Sequence, residues 1–231
     1  MILSNLPQAI TAIGGLGTAA FGLLEAIKPV FPGINHMGFG RIRTAILGLT
    51  PAEPGAHPPV NSLPQSKVVE SLLANWVNGT DLSSQKSIAK SLIKLHLSAG
   101  NAEALAASTN VDPALLTEVA KSIVSGTALT QQQSDAYARF DLIVTALIDE
   151  AYQHADQVYR NCTRALAALL AVALAFAGGL SLMGSWEAFW WKPDMCLALL
   201  IGLLATPLAP IAKDISSALS TAVNTMQMVK K

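Results

Sequence analysis

The sequence predicts an all-α integral membrane protein with three transmembrane helices, a cytoplasmic helical domain and a helical-hairpin stalk continuing from the last two spans. Three observations predict it. Of 231 residues only 13% are charged and 52% are hydrophobic, with a mean hydropathy of +0.43, whereas a soluble domain carries about 25% charged residues. The apolar residues include three uncharged stretches about as long as a bilayer crossing. Elsewhere they recur three and four apart, and no alternating β-branched run competes. Fifteen Lys and Arg balance fifteen Asp and Glu, which leaves no basic reservoir for a nucleic acid partner.

The first charged side chain is Glu25. From Leu6 to that point the chain reaches the roughly 20 apolar residues a crossing needs, so residues 1–31 are expected to form an N-terminal transmembrane helix. A signal peptide would begin with positive charge, but here the first lysine, Lys28, follows the apolar run. Residues 165–184 are uncharged and follow Arg164, and residues 195–212 are closed by Lys213 and Asp214. With the short turn between them, residues 161–213 form the expected transmembrane hairpin.

Trp186, Trp190 and Trp191 fall in that turn. Indoles concentrate at headgroup level, so these three, with Lys28 and Arg164, are the expected membrane-interface anchors. Lys28, Arg41, Arg43, Arg160, Arg164, Lys213, Lys230 and Lys231 flank the spans on one side, and Lys192 alone on the other. The positive-inside rule then puts residues 32–160 and the C-terminus in the cytoplasm and the N-terminus outside an inner (plasma) membrane. Cys162 and Cys196 fall at opposite ends of the hairpin, which excludes a disulfide between them.

Residues 32–63 are expected to hold a short helix over residues 39–49, lying along the headgroups, and then a linker. Four prolines between Thr50 and Val60 forbid regular structure there, and the linker would let the next region move. That region, residues 64–160, is the cytoplasmic helical domain. Val68, Val69, Leu72, Leu73, Trp76 and Val77 make one apolar face before Asn78-Gly79 stops the helix. Thr80 or Asp81 caps the next helix, which carries Ile88, Leu92 and Leu95 on one face and Lys86, Lys90 and Lys94 on another; the lysine row is expected to be solvated, the alternative being contact with lipid headgroups or an acidic partner.

Asp112 and Pro113 mark a helix start, with Val111 and Leu116 as a hydrophobic staple and Gly126 near the end. Thr130 with Gln133 fits a capping box. From Gln131 no proline or glycine follows until Gly178, so one helix should run on into the second span. Its cytoplasmic part carries Tyr137, Phe140, Val144, Leu147, Ala151, His154 and Val158 as a heptad seam. Residues 214–231 are expected as a C-terminal helix with the same rhythm at Ile215, Leu219, Ala222, Met226 and Val229, completing the stalk.

No catalytic, cofactor or metal site is expected. His36, His57, His96 and His154 form no cluster with each other or with cysteine, and Glu150 with His154 suits a surface pair. Gly14-Gly15-Leu16-Gly17 lies inside an apolar span and not after a strand, and no nucleophile elbow or phosphate loop occurs. Glu25 and Lys28, three apart, are expected to pair near the inner interface; the alternative is an ion-conducting site. Pro207 and Pro210 should kink the last span. In the first span, Gly14, Thr18 and Gly22 form one row of small residues and Gly15 and Ala19 another, a face by which helices associate in lipid.

These features lead us to expect a non-enzymatic homo-oligomeric scaffold or anchor in the lipid bilayer, which presents the helical region to a cytoplasmic protein partner. The alternative is an oligomeric pore or channel lined by Glu25, Thr11 and Thr18.

Overall fold

The computed structural model describes the backbone of residues 6–51, 64–183 and 193–229, and the side chains of residues 9–51, 64–181 and 193–211. Its regular elements are helices: α1 (Leu6–Ile27), a 3-10 turn (Pro32–Ile34), α2 (Phe39–Leu49), α3 (Gln65–Val77), α4 (Leu82–His96), α5 (Ala102–Thr109), α6 (Pro113–Ser125), α7 (Gln131–Met183) and α8 (Pro193–Val229). Contacts divide the chain into two compact units. One comprises Met1–Ile34 and Arg160–Lys231, the other Asn35–Tyr159, and α7 contributes to both.

In the unit Asn35–Tyr159, helix ends lie where side chains satisfy orphan backbone groups. Asp81 accepts from the Ser83 and Ser84 N–H groups at 3.1 and 3.2 Å. Asp112 accepts from Leu115 N–H at 3.0 Å, Pro113 opens α6, and Val111 and Leu116 are both buried. Thr130 and Gln133 bond reciprocally: Thr130 N–H donates to Gln133 Oε1 at 2.9 Å, and Gln133 N–H to Thr130 Oγ1 at 3.3 Å. This is the capping box expected from the spacing.

One continuous core holds the unit together, drawing on α2 through α6 and on the first half of α7. Phe39, Ile42, Ile46 and Leu49 of α2 are buried in it. The apolar face of this helix is therefore occupied by protein. Its N-terminal Gly38 has φ 86°, and a Cβ there would overlap the Ala155 carbonyl of α7, so only glycine fits. Gln65 Nε2 donates to Thr50 O at 2.7 Å. The chain on both sides of the Pro-rich segment thus belongs to one unit; residues 52–63, which hold most of the expected linker, lie outside the described residues.

The seam on α7 is corrected in its second half. Phe140 and Val144 are buried as expected, but Ile148, Tyr152 and Ala155 follow them inward, while His154 and Val158 are exposed. A strict 3.5-residue repeat drifts about 20° per heptad against a straight helix, and packing into a globular core selects the 3.6 period. These side chains belong to the core and not to a two-helix stalk. The backbone of residues 214–229 is helical as expected, but it groups with the apolar helices, and its side chains lie outside the described residues.

Trp76 closes the unit. Its indole N–H donates to the Asn35 carbonyl at 3.0 Å, and its ring meets Tyr159 edge-on at 6.0 Å between centroids. Asn35 and Tyr159 are the first and last residues of the unit.

Candidate membrane and assembly surface

α1, the second half of α7 and the first half of α8 carry the three apolar segments, with windows in Ala9–Ile27, Gln131–Ser181 and Pro193–Ile211. These helices are long and apolar enough to cross a membrane. They approach one another through small residues: Ala20, Ala171 and Ala205 are fully buried together. A Cβ on Gly17 would overlap the Ala205 carbonyl, and one on Gly202 would overlap the Val172 backbone.

Their outward faces are greasy. Only 22%, 11% and 22% of the three windows are buried, and Leu23, Leu169, Leu197, Leu200, Leu203 and Ile211 are all exposed. Apolar surface in water is disfavoured by about 25 cal/mol per Å², so six exposed large side chains on three packed helices call for an apolar surrounding. The three apolar helices are compatible with membrane association.

The row of small residues expected on α1 divides between two faces. Gly14 is buried on the inward side with Gly17, Ala20 and Leu24, whereas Gly15, Thr18, Ala19 and Gly22 are exposed. A Cβ on Gly15 or Gly22 would meet nothing within 4 Å. Thr18 Oγ1 donates to the Gly14 carbonyl at 3.1 Å, so its hydroxyl is satisfied within the helix. Gly17 was the residue that sequence reasoning missed as a contact; its spacing of three from both Gly14 and Ala20 was the available signal.

Glu25 and Lys28 pair at 2.5 Å, as the three-residue spacing suggests. The Glu25 side chain is 65% exposed and that of Lys28 14%. Arg164 is exposed. Trp186, Trp190 and Trp191 lie outside the described residues. α8 runs through Pro207 and Pro210 without ending; neither can donate backwards, which frees the carbonyls of Leu203 and Thr206. The Thr206 hydroxyl is buried beside them without a hydrogen-bond partner. Cys162 and Cys196 are free thiols.

In the other unit the lysine row meets acid within the same chain, correcting the solvated face expected of it. Lys86 pairs with Asp149 at 2.9 Å, Lys90 with Asp141 at 2.9 Å and Lys94 with Asp141 at 2.5 Å. Asp141 and Asp149 lie eight residues apart on α7, two turns that match the lysine spacing on α4. Burial pushes the Asp141 carboxyl up, but hydrogen bonds and charge from Lys94 and Lys90 outweigh it and hold the group below its ordinary value of 3.8. Glu150 and His154 are 3.9 Å apart and both exposed. Among the described residues no group of three or more His, Cys, Asp or Glu side chains is placed to hold a metal.

No family model, curated protein or solved structure matches this chain.

Proposed function

We propose that the protein is a non-enzymatic membrane scaffold: three helices embed it in the bilayer, copies associate through α1, and residues 35–159 offer a helical docking module to a cytoplasmic protein partner. The observation that carries the reading is the double use of small residues on α1. Gly14, Gly17 and Ala20 are used within the chain, while Gly15, Ala19 and Gly22 leave a second smooth face outward. In lipid, where burial of apolar area no longer drives association, such a face favours close van der Waals contact between helices. Ile123, Val124 and Leu142 are among the exposed apolar side chains of the other unit that the cytoplasmic protein partner could cover.

The test is the mass of the detergent-solubilised protein. Gly15→Leu combined with Gly22→Leu is expected to shift it to smaller assemblies, because the new side chains meet only open space within the chain; an unchanged mass would remove the α1 face from the interface. Orientation rests on the distribution of lysine and arginine. An impermeant thiol reagent applied to intact cells is expected to label Ser185→Cys and spare Ser108→Cys.

The exposed Glu25 carboxylate on α1 supports a second reading, an oligomeric pore. It is tested by ion flux through liposomes holding the purified protein. Leakage that Glu25→Ala abolishes would replace the scaffold by the pore.

A further inference from the structure

The apolar surface of α1 does not end with the helix. Lys28 N–H donates to Leu24 O, and the N–H groups of Val30 and Phe31 both donate to Ile27 O, at 3.0 to 3.2 Å. The helix itself ends at Ile27, and these bonds fold residues 28–31 into an ordered turn on its last carbonyls. Leu23 is 41% exposed, Val30 71% and Phe31 59%. Pro29 and Pro32 bracket the pair and stiffen it, and Ile34 N–H closes the turn on Phe31 O at 3.0 Å. A valine and a phenylalanine are thus held outward on an ordered turn, continuous with the outward face of an apolar helix.

We propose that Val30 and Phe31 form a wedge that inserts into the headgroup region of the lipid bilayer at the inner end of α1. The proposal rests on the membrane reading above. Three features of this turn favour lipid as its occupant. The exposed face runs without a break from Gly22 and Leu23 through Ala26 to Val30, so whatever covers the helix reaches the turn. Phe31 lies at the end of a span, and phenylalanine is among the apolar side chains that surface-seeking segments bury at the boundary of headgroups and acyl chains. Lys28, beside it, carries a long stem and a charged head suited to the same boundary. The wedge would fix the depth of α1 from the cytoplasmic side.

The experiment uses the full chain with Cys162→Ala and Cys196→Ala, an environment-sensitive fluorophore on Val30→Cys, and vesicles of phosphatidylcholine and phosphatidylglycerol. Nitroxide lipids labelled at the headgroup or at mid-chain, and aqueous iodide, serve as quenchers. The expected result is a blue-shifted emission, loss of iodide quenching, and stronger quenching by the headgroup nitroxide than by the mid-chain one. Emission that stays red-shifted and open to iodide overturns the wedge. So does a label shielded from both iodide and lipid nitroxides, which would mean a protein contact. The same fluorophore on Leu203→Cys separates the two claims: mid-chain quenching there, with iodide quenching at residue 30, removes the wedge and leaves the membrane reading standing, whereas iodide quenching at both positions removes both.

Discussion

Gly17 of α1 lies against the Ala205 carbonyl of α8 with no room for a side chain between them. Two helices meet there backbone to backbone, and Ala20 and Ala171 are buried in one cluster with Ala205. Gly17→Val is therefore expected to separate the helices, at a cost of at least about 1–3 kcal/mol for the overpacking. Gly178→Val, on α7 and facing open space, should leave the fold unchanged. Thermal unfolding in detergent distinguishes them: a lowered Tm for the first alone supports this packing, and equal effects contradict it.

Trp76 holds the first and last residues of its unit with one side chain. Trp76→Phe keeps most of the ring but strands the Asn35 carbonyl, and is expected to lower stability by about 1 kcal/mol. Trp76→Ala also removes the packing of the half-buried ring, and its loss should exceed that of Trp76→Phe. Denaturant titration followed by circular dichroism checks the order of the two.

Asp141 gives the fold a defined sensitivity to acid. Its carboxyl is held below 3.8 in the native chain, so as the pH falls the unfolded chain binds the proton first. The stabilisation is fully present above about pH 4 and is lost as the pH drops through the lower native value. Asp141→Asn should lower stability at neutral pH, and its difference from the native protein should shrink below about pH 4. A difference that stays constant from pH 7 to pH 3 would contradict the pairing with Lys90 and Lys94.

Tyr152 is 1% exposed, and its hydroxyl has no hydrogen-bond partner. Burial pushes the phenol up to about 12, so it stays neutral. Removing an unsatisfied buried hydroxyl is not penalised, and Tyr152→Phe is expected to match or exceed the native stability, by up to about 1 kcal/mol. A loss greater than that, seen by thermal unfolding, would reveal a partner for the oxygen.

The features legible in the sequence were those whose cause is local. Asp112 before Pro113, and Thr130 three residues before Gln133, specify helix starts through bonds within one turn, and both starts lie where the spacing puts them. The apolar segments were legible because length and lack of charge suffice to identify them. Partners brought together by the fold were not. Nothing near Lys90 in the chain announces Asp141, fifty-one residues on, and a lysine row facing acid looks the same in sequence as one facing water. The direction of α1 was half legible: small residues at four-residue spacing mark a packing face, but Gly14 and Gly15 differ by only 100° around the helix. Which of the two faces meets α8 depends on a neighbour nearly two hundred residues away.

The central claim is that the outward leucines of α1, α7 and α8 are covered by lipid, and alkaline carbonate extraction of membranes from expressing cells followed by ultracentrifugation tests it most directly. The account predicts that the unmodified chain stays in the membrane pellet and leaves it only with detergent. Recovery of the chain as a monodisperse species in the detergent-free supernatant would contradict it.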